Sequence, residues 1–139
     1  MGTLTYLDAS VLAALFVSEA ASTEARRMLG LVEPLTSRLS MAEVSSAIAR
    51  RARMGEIAID DASARFQAFD EWIHEKMVLI ELLPDDFAVA TQYVRRMTLG
   101  LRTPDALHIA MAKRVGAGLL TFDARMAQAA RALGLEVLP

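Results

Sequence analysis

The sequence predicts an α/β fold: a three-layer α/β/α domain with a central parallel sheet, formed by residues 1–139 as a single domain. Short apolar runs of strand length alternate along the chain with longer segments whose apolar residues recur at helical spacing. Strands separated by helices are joined by crossover connections, which places helices on both faces of a parallel sheet. The length of 139 residues suits one hydrophobic core, and the chain contains no internal repeat or linker.

The first half of the chain begins with a strand and continues mainly as helices. Its predicted elements are a strand at 3–7, helices at 10–16 and 20–31, a brief strand at 34–37, and helices at 40–54 and 60–76. Ser10 is predicted to cap the first helix. Ser40 is predicted to cap the third, with Glu43 at capping-box spacing and Gly55 as its stop.

The second half alternates regularly between strands and helices. Its predicted elements are a strand at 77–83, a helix at 85–97, a helix from 103 that stops at Gly116, a strand at 118–122, a helix at 124–133 and a strand at 135–138. Thr103 and Pro104 indicate a helix start, as cap and first-turn proline. Pro84 ends the third strand, and Gly134 ends the last helix.

Composition excludes several kinds of functional site. The chain has no cysteine, which rules out disulfides, cysteine nucleophiles, iron–sulfur clusters and cysteine-based zinc sites. Its two histidines, His74 and His108, cannot form a three-histidine site within one chain. A bound metal would therefore have mainly oxygen ligands, which favours Mg²⁺ or Mn²⁺. The net charge of −2 gives no strongly basic field of the kind that marks many nucleic-acid-binding domains.

The hydropathy pattern predicts no membrane segment. The longest apolar run, residues 11–17, is much shorter than the ~20 residues that span a bilayer. No basic segment precedes this run, and Asp8 lies just before it, which a cleavable signal would avoid. We therefore expect a cytoplasmic protein.

Four acidic residues occupy positions where a parallel sheet can gather them. Asp8 and Asp123 each follow an apolar strand, so both carboxylates lie at one sheet edge if those strands are neighbours. Glu43 and Asp105 lie in predicted first helical turns beside apolar sequence, where acids also stabilise the helix dipole. Clustered carboxylates repel one another unless a proton or cation intervenes, so the set favours a metal site. His108, one turn after Asp105, is interpreted as structural.

Four short motifs together resemble the PIN-domain family. They are Tyr6-Leu7-Asp8-Ala9-Ser10, Ser40-Met41-Ala42-Glu43-Val44, Thr103-Pro104-Asp105-Ala106-Leu107-His108-Ile109-Ala110 and Leu120-Thr121-Phe122-Asp123. Their order and spacing cover essentially the whole chain, and the size is similar to that of the VapC-type ribonuclease toxins of bacterial and archaeal toxin–antitoxin pairs. The resemblance implies a PIN-like parallel sheet in which the first and fourth strands are adjacent.

The resemblance also implies an activity. Asp8, Glu43, Asp105 and Asp123 match the family's acidic quartet, and Ser10 and Thr121 match positions that often support it. The family's chemistry is metal-dependent hydrolysis of RNA phosphodiester bonds. Mg²⁺ or Mn²⁺ would be bound by the three aspartates, with Glu43 direct or through water, and would activate the attacking water.

The toxin resemblance further implies a homodimer and a cognate antitoxin whose C-terminal segment fills a groove near the first and third helices. Leu12, Phe16 and Met54 are expected to contribute exposed apolar surface there. For the RNA, the candidate phosphate contacts are arginines within a few residues of the acids, namely Arg38, Arg102 and Arg125.

Two other functions remain open from the residues. A flavodoxin-like phosphohydrolase or phosphoacceptor domain also places acids at strand ends, although Asp8-Ala9-Ser10 lacks the second aspartate of a D-x-D loop. The non-enzymatic alternative is an interaction module in which the carboxylates only cap helices. Divalent ions would not stabilise such a module.

Overall fold

The computed structural model describes residues 2–17 and 20–138. The strands of these residues are β1 (Thr3–Leu7), β2 (Val32–Ser37), β3 (Val78–Ile80), β4 (Gly118–Leu120) and β5 (Val137–Leu138). The helices are α1 (Ala9–Phe16), α2 (Ser22–Leu29), α3 (Arg38–Arg53), α4 (Ile59–Lys76), α5 (Pro84–Arg95), α6 (Thr103–Arg114) and α7 (Ala124–Ala132), with a 3-10 turn at Met97–Leu99. None of these helices is long and apolar enough to span a membrane.

The five strands form one parallel sheet in the order β3-β2-β1-β4-β5. The predicted adjacency of the first and fourth strands is confirmed, because Tyr6 pairs with Leu119 and Leu7 with Leu120. The strand order reverses between β1 and β4, and in open α/β sheets this reversal creates a ligand-binding crevice at the carboxyl ends of the strands. The order also differs from the 2-1-3-4-5 order of flavodoxin-like domains.

Two hydrophobic cores cover the two faces of the sheet, which confirms the three-layer prediction. Tyr6 and Leu119 face a core built with α5, α6 and α7. Their strand neighbours Leu7 and Leu120 face the opposite core, built with α1 to α4. Side chains alternate between faces along a strand, so each buried strand needs apolar residues at successive positions.

Several predicted boundaries were wrong for local reasons. Asp8, not Ser10, is the N-cap of α1, and Ser37, not Ser40, caps α3. Glu43 therefore lies in the second turn of α3 and forms no capping box. Arg102 holds the N-cap position of α6, which leaves Thr103 as its first residue.

The strands also differ in length from the predictions. β2 begins at Val32 and includes Pro34, which is tolerated because β3 pairs only with residues from Leu35 onward. β3 covers three of the seven residues predicted, since the chain diverges from β2 after Ile80. Gly55 and Gly116 end helices with positive φ, as predicted.

A buried ion pair connects α5 to α6. Asp86, 2% exposed, accepts hydrogen bonds from Arg114 Nε at 2.9 Å and Nη2 at 3.1 Å. It also accepts one from the Leu83 backbone N–H at the start of α5, at 2.8 Å. Arg114 Nη2 additionally donates to the Glu81 carbonyl at 2.7 Å, so the pair also holds the end of the β3 segment.

We predict that Asp86→Ala lowers the free energy of unfolding by about 2–3 kcal/mol, because it removes the cap of α5 and leaves Arg114 without its partner. The matched control is Asp85→Ala, an exposed acid in the same helical turn, with an expected change of about 0.5 kcal/mol or less. Urea denaturation of both variants measures the difference. Equal midpoints would show that the ion pair contributes nothing to stability.

Candidate active site

Asp8 lies at the carboxyl end of β1, inside the crevice between β1 and β4, and is 5% exposed. One carboxylate oxygen, Oδ1, accepts from the Ser10 hydroxyl at 2.7 Å and from the Val11 N–H at 3.4 Å. The other, Oδ2, accepts from the Thr121 hydroxyl at 2.8 Å. Burial raises the pKa of Asp8, while the hydrogen bonds from Ser10 and Thr121 act in the opposite direction.

The hydroxyls of Ser10 and Thr121 also hold the loop that follows β4. Ser10 Oγ accepts from the Phe122 N–H at 2.9 Å, and Thr121 Oγ1 accepts from the Asp123 N–H at 3.0 Å. The two residues predicted to support the acids therefore join β1, α1 and the β4 loop into one hydrogen-bonded unit. This unit fixes where Asp8 and Asp123 stand relative to each other.

Asp123 begins α7. Its Oδ1 accepts from the backbone N–H groups of Arg125 at 3.0 Å and Met126 at 3.1 Å, so it is the N-cap of that helix. Its second oxygen, Oδ2, takes part in no hydrogen bond among the described residues. A capping role thus occupies half of this carboxylate.

Asp105 lies in the first turn of α6 with a side chain 16% exposed. Its pKa is raised, first by burial and then by the neighbouring charge of Asp123, with Glu43 adding in the same direction. Arg102 Nε, 3.8 Å from Asp105 Oδ2, and His108 both oppose this rise. The charges of Asp123 on the β4 loop and Glu43 on α3 therefore both act on this carboxyl of α6.

Glu43 pairs with His108, a histidine whose role predicted from the sequence is structural. Its Oε1 pairs with Nε2 of His108, and Nδ1 of that ring lies 2.6 Å from the Tyr6 hydroxyl. The Tyr6 hydroxyl also lies 2.6 Å from Ser37 Oγ and 3.3 Å from Ser40 Oγ. Burial raises the pKa of Tyr6 well above its usual range, so the phenol stays protonated.

The four acids were proposed from the sequence, whereas the polar groups behind Glu43 were not. One signal for Tyr6 was available. It lies two residues before Asp8 and so shares a strand face with it, and a tyrosine on a buried face needs a partner for its hydroxyl. The partners of Glu43 lie far away in sequence, and no spacing rule identifies them.

A groove of about 980 Å³ opens beside Glu43, between α1 and α3. Its lining includes small residues, namely Ala9, Ala13, Ala14 and Ala47. It also includes the basic residues Arg50, Arg51 and Arg102. The groove therefore combines small apolar side chains with guanidinium groups.

The three predicted arginines lie in different places. Arg102 lines the groove beside Glu43 and contacts Asp105. Arg38 is exposed and lies 3.9 Å from Glu81 at the outer end of β3. Arg125 is in the first turn of α7, with its backbone N–H on Asp123. Only Arg102 among the three borders both an acid and the groove.

The apolar surface expected on α1 is smaller than predicted. Leu12 is fully buried, and Phe16 packs edge-on against Phe69 and Trp72. Leu12 and Phe16 therefore belong to the hydrophobic core built with α1 to α4. Met54 is 61% exposed and lines the groove, as expected. The groove therefore offers alanine and methionine surface instead of large α1 side chains.

No three His, Asp or Glu side chains in the described ranges are grouped closely enough to hold a metal ion. The chemistry of the donor set nevertheless fits a hard divalent cation. It consists of carboxylates, two of which have pKa values raised by burial, and for Asp105 also by neighbouring acids. A cation is the group that would relieve that repulsion.

Comparisons with known proteins agree with this arrangement. The PIN domain matches residues 5–132. Ribonuclease VapC3 of Pyrobaculum aerophilum is 33% identical over 88% of this chain and 91% of its own length. Ribonuclease VapC46 of Mycobacterium tuberculosis is 35% identical over 96% of this chain and 95% of its own.

Among solved structures, a toxin–antitoxin complex from Klebsiella pneumoniae contains a chain with the same fold. It has a TM-score of 0.62 and 19% identity, and the match covers 86% of each chain. The matched PIN segment contains β2, β3, β4, residues 5–7 of β1 and all four acids. The chain therefore belongs to the PIN-domain family, together with the VapC ribonucleases to which it is similar.

Proposed function

We propose that this chain is an endoribonuclease, the toxin of a toxin–antitoxin pair, which hydrolyses RNA phosphodiester bonds with a divalent metal held by its acidic quartet. The observation that carries the proposal is the burial of Asp8 at the point where strand order reverses, where the Thr121 hydroxyl links its carboxylate to the loop that holds Asp123. Membership of the PIN-domain family and similarity to two VapC ribonucleases support the same chemistry.

PIN-domain ribonucleases generally use a divalent metal. In this chain Asp8, Asp105 and Asp123 would be its ligands, with Glu43 bound directly or through water, and carboxylate oxygens suit Mg²⁺ or Mn²⁺. When bound, such an ion polarises phosphoryl oxygens and acidifies water.

The residues of this chain prepare the site for that ion. Ser10 and Thr121 hold the Asp8 carboxylate in one orientation. Asp123 is fixed by its capping bonds with its second oxygen unengaged among the described residues, and Arg102 partly compensates the charge of Asp105. Exclusion of water around Asp8 strengthens every electrostatic interaction in the crevice.

Substrate binding is assigned to the basic side chains around the acids. Guanidinium groups bind phosphates in bidentate geometry, and Arg102 borders both Asp105 and the groove. Arg38 and Arg125 are proposed as further phosphate contacts on either side. Together they would guide the RNA backbone past the carboxylates.

The groove between α1 and α3 is proposed to bind a segment of the cognate antitoxin. The small alanine side chains that line the groove leave room for larger side chains from a partner. The fold also matches a chain of a toxin–antitoxin complex. We further propose that the protein acts as a homodimer in the cytoplasm, where its RNA substrate is found.

Cleavage of RNA tests the enzymatic proposal. Antitoxin-free protein is expected to cut total RNA or a transfer-RNA pool into discrete fragments with Mg²⁺ or Mn²⁺ and to be inactive in EDTA. Asp8→Asn should lower the rate by about 100-fold or more, because it removes a ligand charge at nearly constant shape. Asp70→Asn, an exposed change on α4, is the matched control and should cut normally. Metal-independent cleavage, or full activity of Asp8→Asn, would contradict the mechanism.

The raised pKa of Asp105 gives a second prediction, about stability without metal. A carboxyl whose folded pKa exceeds its unfolded pKa destabilises the fold once the pH rises above the unfolded value. Asp105→Asn should therefore melt a few degrees above the wild type in EDTA at neutral pH, and this advantage should vanish in acid.

The same melting experiment with Mn²⁺ separates the enzyme from an interaction module. Wild-type protein should be stabilised by about 2–3 kcal/mol at Mn²⁺ concentrations ~100-fold above the dissociation constant. Asp105→Asn should lose most of that gain. A wild-type melting temperature that does not change with Mn²⁺ or Mg²⁺ would favour an interaction module whose acids serve only as helix caps.

The role of Arg102 is tested by binding measurements on cleavage-deficient protein. In the Asp8→Asn background, Arg102→Ala should weaken RNA binding and reduce the slope of log affinity against log salt by about 0.7. Arg26→Ala, an exposed arginine on α2 near Trp72, is the control and should leave both unchanged. An unaltered salt slope for Arg102→Ala would remove this residue from the phosphate contacts.

A further inference from the structure

Side chains from β2, β1, α6 and α3 form a series of hydrogen bonds that ends at one of the four acids. It connects Ser37 at the end of β2, Tyr6 on β1, His108 on α6 and Glu43 on α3. Tyr6 and Ser37 are fully buried, and His108 is 2% exposed. The series ends at a carboxylate that lines the groove and is 34% exposed.

The direction of this series follows from what each group can donate. The Glu43 carboxylate only accepts, so His108 Nε2 must carry the hydrogen. When the ring is neutral, Nδ1 accepts from the Tyr6 hydroxyl, and when it is charged, Nδ1 donates to that hydroxyl. Ser37 Oγ accepts from the Ser40 N–H at 3.4 Å and shares one hydrogen with the Tyr6 hydroxyl in either case. Every member of the series thus has a partner, and Nε2 carries the hydrogen toward Glu43 in both states of the ring.

This arrangement has a specific effect on Glu43. A glutamate that lines an open groove samples several rotamers, and fixing it in one of them costs side-chain entropy. The bond from His108 holds Oε1 on the buried side. Oε2 has no hydrogen-bond partner among the described residues and is available at the groove.

We propose that His108 is a positioning residue for the cleavage reaction, which holds Glu43 through its Nε2–H so that one carboxylate oxygen faces the acidic site. The inference rests on the proposed ribonuclease function and deepens it, since it assigns a role to a buried histidine that acts only through the Glu43 carboxylate. Tyr6 and Ser37 serve the same purpose one and two steps further away, by fixing the ring.

The experiment compares three variants on α6. His108→Phe keeps the ring volume and removes the donor, and should lower kcat about 10- to 100-fold with a smaller change in KM. His108→Gln keeps an N–H donor near the Nε2 position and should recover most of the loss. Met111→Ala removes a fully buried side chain one turn further along α6 and is the control for lost stability. It should cut RNA normally at temperatures where it is folded.

A double-mutant cycle with Glu43→Ala identifies the route of the effect. If His108 acts through Glu43, then His108→Phe should cost nothing further in the Glu43→Ala background. A loss that persists at full size in that background, or a single His108→Phe variant within about threefold of wild type, would overturn the proposal and leave the ribonuclease function standing. Absence of metal-dependent cleavage by the wild type would remove the proposed function and this inference together.

A measurement on the wild-type ring keeps the proposal testable if His108→Phe fails to fold. Imidazole nitrogen NMR should show His108 protonated at Nε2, and Glu43→Ala should shift that signal whereas Met111→Ala should not. The exposed His74 is distinguished by its loss in His74→Gln. A ring protonated only at Nδ1 would have no donor for Glu43 and would overturn the proposal.

Discussion

The burial of the Asp8 carboxylate is the constraint on which the rest of the site depends. An ionised group in an apolar crevice is tolerated only when its oxygens are hydrogen-bonded, and here the donors come from α1 and from the end of β4. These bonds require β1 and β4 to be neighbours. The environment of Asp8 therefore depends on the reversal of strand order between these two strands. Burial raises the pKa of Asp105, and the nearby charges of Asp123 and Glu43 raise it further, a repulsion that a cation would relieve.

The fold was largely predictable from sequence because its signals are local. Alternating strand and helix patterns fix the layers, and Gly55 and Gly116 end helices by adopting a backbone conformation that other residues avoid. The errors also have a common cause. Asp8 and Ser37 lie at strand–helix junctions, two and three positions before the serines expected to cap, because each strand runs directly into the helix. Spacing in a single sequence cannot distinguish two nearby residues that can both cap.

The site was predictable only in part. Asp8 and Asp123 were proposed from the rule for strand ends, and Glu43 and Asp105 from acids expected in first helical turns beside apolar sequence. The resemblance to PIN domains then gave all four acids a common role. The pairs Glu43–His108 and Asp86–Arg114 join residues 65 and 28 positions apart, and they depend on how α3, α5 and α6 pack. Such contacts form because polar groups that are buried in the folded structure need hydrogen-bond partners. This requirement produces no periodic pattern in the sequence.

Ser37 has a double role that couples two parts of the molecule. Its hydroxyl oxygen caps α3, and the same group holds Tyr6, whose partner His108 holds Glu43 farther along that helix. The angle at which α3 leaves the sheet and the orientation of Glu43 are therefore not independent. Because residues of α3 also line the groove, a ligand that tilted this helix would reorient Glu43 as well. If that change altered binding at the acidic site, thermodynamic linkage would make the effect equal in both directions.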